Sequence, residues 1–189
     1  MRKLWLILVL LIRLVPAHGQ TYAHFEFENV FNLKPVSLFQ PQITLYGKTI
    51  KEDARFGAYF FSLLNPNWGQ TYGGILYRPA RWITLNAGVG LERDSLPWRV
   101  SAGAFMAHKK VTLLQVYEYG GSGFWYNIVL HYHFSDLLRA GMTFKRFYGL
   151  GPDVEISIPR SPVTLVVAPF YDFEFGVPRL FLSFRYGFY

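Results

Sequence analysis

The densest run of chemically capable side chains is His131-Tyr132-His133-Phe134-Ser135. On an extended chain, residues two apart share a face, so His131 and His133 can present imidazole nitrogens to one ion. No third ligand is identifiable. Metal is therefore not expected, His131 and His133 being the candidates should an ion bind, and the pair reads as histidines facing a polar interior. A nucleophile needs a base within reach; Ser135 follows His133 but falls in a turn, so no catalytic residue is assigned. Gly120-Gly121-Ser122-Gly123 and Gly149-Leu150-Gly151-Pro152 lack the following helix that a phosphate cradle requires. No cofactor is expected.

The remaining chemistry is charge. Glu26, Glu28, Glu118, Asp153, Glu155 and Asp172, with Lys48, Arg55, Arg99, Arg139, Lys145 and Arg185, fall opposite apolar residues in alternating segments. Buried charges persist when paired and hydrogen-bonded, whereas charges around a constriction bias which ion enters. Glu26, Glu28, Arg55, Arg99, Arg139, Lys145, Asp153, Glu155, Asp172 and Arg185 are accordingly expected to form a lumen network or a charged constriction. The same ion pairs serve either purpose.

Such an arrangement needs an element that separates two faces. Apolar residues recur at period two, in segments of about ten residues bounded by turn signals. Phe124 to Phe134 sets Phe124, Tyr126, Ile128, Leu130 and Tyr132 against Trp125, Asn127, Val129, His131 and His133; Leu138 to Phe147 sets Leu138, Ala140, Met142 and Phe144 against Arg139, Gly141, Thr143 and Lys145. The candidate strands are 23–31, 42–50, 54–64, 69–78, 82–91, 97–107, 111–119, 124–134, 138–147, 153–158, 163–172 and 179–188. Twelve is the expected count for an all-β, closed, antiparallel up-and-down barrel, with ten or eight as alternatives. An even number returns both ends to one side of a membrane. Pro35 and Pro41 flank an irregular stretch that can instead be read as a plug or lid, which leaves the role of residues 20–41 open.

Which face meets solvent decides between a soluble and a transmembrane barrel. A soluble barrel turns charge outward, and 16% charged residues is sparse for such a surface. The nearly charge-free alternate faces therefore point to lipid. Trp68, Trp98 and Trp125 near one set of strand ends, and Trp82 near the other, are expected to form interfacial girdles.

Residues 1–19 read as a secretory leader: basic Arg2 and Lys3, an apolar run from Leu4 to Ile12, and small residues at Ala17 and Gly19. Residues 20–189 then form the barrel domain. Taking the leader's Arg2, Lys3 and Arg13 from the net charge of +7 leaves +4, a modest surplus that predicts at most weak anion preference. No basic run suggests nucleic acid. The absence of Cys excludes disulfide staples.

The terminal Leu180-Phe181-Leu182-Ser183-Phe184-Arg185-Tyr186-Gly187-Phe188-Tyr189 resembles the closing strand and assembly signal of bacterial outer-membrane barrels, with Tyr189 one residue out of phase. That resemblance implies an outer-membrane location, contact with outer-membrane lipids and lipopolysaccharide, and recognition by the barrel-assembly machinery through this strand. His133-x-Ser135 bears a faint resemblance to outer-membrane lipid A deacylases, which makes a lipid-modifying enzyme the alternative. The expected function is a narrow porin-like channel or a structural membrane barrel with a charged lumen.

Overall fold

The computed structural model describes residues 20–33 and 39–188; the proposed leader, residues 34–38 and Tyr189 lie outside them. Twelve strands follow in order: β1 (Gln20–Asn32), β2 (Phe39–Ile50), β3 (Phe56–Leu64), β4 (Gly69–Ala80), β5 (Ile83–Glu92), β6 (Trp98–His108), β7 (Val111–Gly120), β8 (Gly123–His133), β9 (Leu138–Lys145), β10 (Gly149–Ser157), β11 (Val163–Asp172) and β12 (Val177–Phe188). Each pairs antiparallel with its sequence neighbours, and β1 closes on β12 in one ring. Closure leaves no sheet edge, so the ladder satisfies the backbone polar groups without water. Gln20 and Phe188 lie at the same rim, here called the terminal rim.

The twelve-strand expectation holds, including the first two segments, which join the wall as β1 and β2. Some boundaries move. β3 begins at Phe56, which leaves Arg55 exposed in the preceding turn and removes it from the expected lumen set. β10 begins at Gly149, although Gly151 and Pro152 read as a turn. Its register to β11 pairs Leu150 with Tyr171 and Val154 with Val167, which places Pro152 opposite Pro169. Two residues without an N–H thus share one interruption of the ladder instead of breaking it twice.

Alternation sorts the faces. Every strand shows large apolar side chains outward, among them Phe27, Ile43, Phe60, Ile75, Val89, Val100, Leu130, Met142, Ile156, Leu165 and Phe184. Val89 is 70% exposed, a cost in water and a gain in lipid. Trp82 and Trp98 join this outer face near opposite rims, Trp98 against Tyr119 at 5.8 Å. Trp68 and Trp125 do not. Trp68 lies over the Arg99 guanidinium at 5.5 Å, and Trp125 lines the interior. The interfacial expectation for these two rested on height along the strand, but position 125 alternates inward and Trp68 is drawn to a buried cation.

Candidate functional site: the barrel lumen

The interior encloses a cavity of about 430 Å³ lined by side chains from all twelve strands. Its wall divides by chemistry. β1 to β4 supply a tyrosine-rich arc, Tyr22, Tyr46, Tyr59 and Tyr72, with neighbouring ring centroids 6.1–6.5 Å apart. Most of the charge stands on the rest of the wall.

Away from the terminal rim, Arg99 is 2% exposed and held between two carboxylates. Its Nε donates to Glu118 Oε2 at 2.7 Å, and an Nη donates to Glu92 Oε2 at 2.5 Å. Glu118 also accepts from the Tyr72 hydroxyl at 2.8 Å, while Glu92 accepts from the Ser122 hydroxyl at 2.6 Å and amide at 2.9 Å. The cluster ties β4, β5, β6 and β7 to the β7–β8 turn. Glu92 was not expected here, because Glu92 to Pro97 reads as a link. Its phase on β5, shared with Thr84 and Asn86, is the signal that identifies it as inward.

At the same end, Asp172 accepts from Arg179 Nε at 3.0 Å and from the amide of Glu174 at 2.9 Å, and Arg179 donates onward to Asn32 Oδ1 at 2.9 Å. Arg179, like Glu92, is an inward charge that the sequence reading omitted.

The third network spans the closing seam. Arg185 grips Glu26 with two hydrogen bonds of 3.1 Å, a bidentate geometry, and extends its third nitrogen to Glu155 Oε1 at 3.2 Å. Ser183 also donates to Glu26. Glu26 and Arg185 are direct cross-strand partners, as barrel closure implies. Arg139 Nε stands 2.7 Å from the other oxygen of Glu155. Lys145 does not pair with Asp153 or Glu155 on adjoining β10 but crosses to Glu28 on β1.

His131 and His133 share the inner face, but they do not converge. His133 Nε2 contacts the Thr112 hydroxyl at 3.2 Å, whereas His131 Nε2 contacts Asp153. Ser135 Oγ accepts from the amides of Leu137 and Leu138 at 3.2 and 3.1 Å, which makes it a turn-capping residue.

Among the described residues, seven acids (Glu26, Glu28, Glu92, Glu118, Asp153, Glu155, Asp172) and six bases (Lys48, Arg99, Arg139, Lys145, Arg179, Arg185) line the cavity or its ion-pair networks. The inner wall therefore carries no cationic surplus. Five of the bases are held by carboxylates. Lys48 has no carboxylate within 4 Å among the described residues, and its ammonium lies 5.7 Å from the Tyr22 ring and 5.9 Å from that of Phe105.

No protein-family model and no curated protein matches the sequence. Among solved structures, a KdgM porin aligns with TM-score 0.58 and 12% identity, over 88% of this chain and 99% of that one. A KdgM porin in complex with disordered oligogalacturonate aligns with TM-score 0.61 and 11% identity, over 89% and 99%. An OmpF of Salmonella typhi in complex with daunomycin aligns at TM-score 0.46, 9% identity, over 89% and 97%. The chain has the architecture of the bacterial outer-membrane porins, a closed transmembrane β-barrel.

Proposed function

We propose that this barrel is a narrow outer-membrane channel for small hydrophilic solutes. The observation that carries the reading is the cavity of about 430 Å³ lined by all twelve strands and bordered by charged and hydroxyl side chains inside an apolar exterior. Its size is that of a single small-molecule site, of roughly 300–1,000 Å³. Folded polypeptides are too large for it, while hydrated ions and single small polar metabolites match it.

The solute named with the second KdgM structure is a polyanion, and passage of such a chain calls for cations free to exchange along the wall. Here five of six inner bases are pinned to carboxylates, which favours small, weakly charged solutes. Catalysis has less support, since Ser135 is engaged by its own turn.

The dense ion-pair lattice also favours a second reading, a structural barrel filled by its own side chains. Single-channel recording in planar bilayers separates the two. Discrete steps of conductance are expected; a correctly folded barrel that inserts without conducting would select the structural reading.

A further inference from the structure

We propose that His131, Asp153 and Glu155 form a binding site for a divalent first-row transition metal ion in the lumen wall. The register of three consecutive strands builds it. His131 on β8 is paired with Gly141 on β9, and Gly141 with Asp153 on β10, so one row across the wall reads His, Gly, Asp. The outer two strands of such a trio lie two ladder spacings apart, about 9.6 Å. An imidazole and a carboxylate can meet over that gap only if the middle residue has no side chain between them, and Gly141 provides this. Glu155 stands two residues beyond Asp153 on the same face, in the next row. One ligand atom from each of the three residues lies within 4.8 Å of the others.

Two further observations point to a cation. His131 and Asp153 are 6% and 3% exposed, and Asp153 Oδ1 is buried without a hydrogen-bond partner. Among the described residues, Asp153 is also the one carboxylate of this region whose ion-pair partner is a histidine alone; Glu26 and Glu155 share Arg185, and Glu155 pairs with Arg139 as well. Buried carboxylates require a compensating charge, and a dication here supplies it while taking up the orphaned oxygen. Arg139 Nε approaches Glu155 Oε2 at 2.7 Å without the alignment of a hydrogen bond, which leaves that oxygen a lone pair to give.

One nitrogen and two carboxylate oxygens suit Zn²⁺, Fe²⁺, Co²⁺ or Mn²⁺. Ligands about 2.1 Å from a shared ion stand at most about 4.2 Å apart, so a side-chain adjustment of about half an ångström closes the set. The remaining coordination positions face the lumen and are filled by water.

The test uses tag-free barrel folded in detergent, titrated with Co²⁺ followed by visible absorption and with Zn²⁺ by calorimetry. One ion per barrel is expected, with Zn²⁺ displacing Co²⁺. H131Q and D153N should each weaken binding by more than about tenfold, whereas H133Q leaves it unchanged; unboiled gel mobility confirms that each variant is folded. If D153N does not fold, the wild type decides: Zn²⁺ should shift the imidazole resonances of His131, identified by their loss in H131Q, and leave those of His133 in place. No stoichiometric uptake by the wild type, wild-type affinity in folded H131Q and D153N, or His131 resonances unmoved by Zn²⁺ would overturn the site. These readouts report binding whether or not the barrel conducts, so failure here is distinct from failure of the channel reading.

Discussion

Lys145 on β9 reaches Glu28 on β1 with its ammonium 3.3 Å from Oε2, although β10, β11 and β12 separate the two strands around the ring. The contact crosses the lumen as a strut instead of running along the wall. Glu28 is prepared for it by Gln42 and Thr44, which donate at 2.9 and 2.7 Å, and the Lys145 ammonium also lies 4.0 Å from the Tyr148 ring centroid.

Removing only one end should therefore be costly. K145Q leaves a buried carboxylate without its cation, which costs roughly 3 kcal/mol, toward the low end for a broken buried pair because two hydrogen bonds to Glu28 survive. The double variant E28Q/K145Q should recover most of the loss, as read from urea unfolding in lipid vesicles. In planar bilayers the double variant should conduct more than wild type, since the strut no longer carries charge across the passage. Equal stability of K145Q and wild type would mean that the strut contributes nothing.

The inside-outside assignment has its own test. Leu130 is outward and exposed, whereas Thr143 on β9 lines the cavity. L130R should destabilise the inserted barrel by about 2–4 kcal/mol if it lies near the bilayer midplane. T143R should assemble and lower conductance. Reversed tolerance in an unfolding titration would invert the faces.

Gly141 should accept no side chain. A Cβ there would stand 1.7 Å from the Leu130 carbonyl oxygen on β8, while one at Gly73 would meet nothing nearer than 3.6 Å. G141A is expected to cost about 2–3 kcal/mol and G73A to stay within about 0.5 kcal/mol. Comparable urea midpoints for the two variants would contradict the close approach of β8 and β9.

Ion selectivity follows from the inner charge balance. With seven acids against six bases, reversal potentials under a KCl gradient should show a nearly unselective channel, not the anion preference that the net charge suggests. K48Q removes the inner base without a carboxylate partner and should make the channel cation-preferring with little change in stability. An anion-selective wild type would show that the paired bases still govern the passage.

Period-two patterning laid out the barrel wall: it made twelve the expected strand count, assigned most residues to one face or the other and, with closure, brought the strand of Glu26 and Glu28 beside that of Arg185. Alternation works because a strand has two faces and lipid tolerates charge on neither tip nor flank. It carried the inward placement of position 125 as well, although height along the strand suggested an interfacial Trp125. Which acid meets which base was decided by the tertiary structure. Lys145 bypasses adjoining β10 for Glu28, Glu92 turns inward at the last residue of β5, and Asp153 finds His131 over Gly141, because these contacts depend on inter-strand register and on reach across a closed ring. A single chain's periodicity reports which way a side chain points, and the closed ring supplies what it meets there.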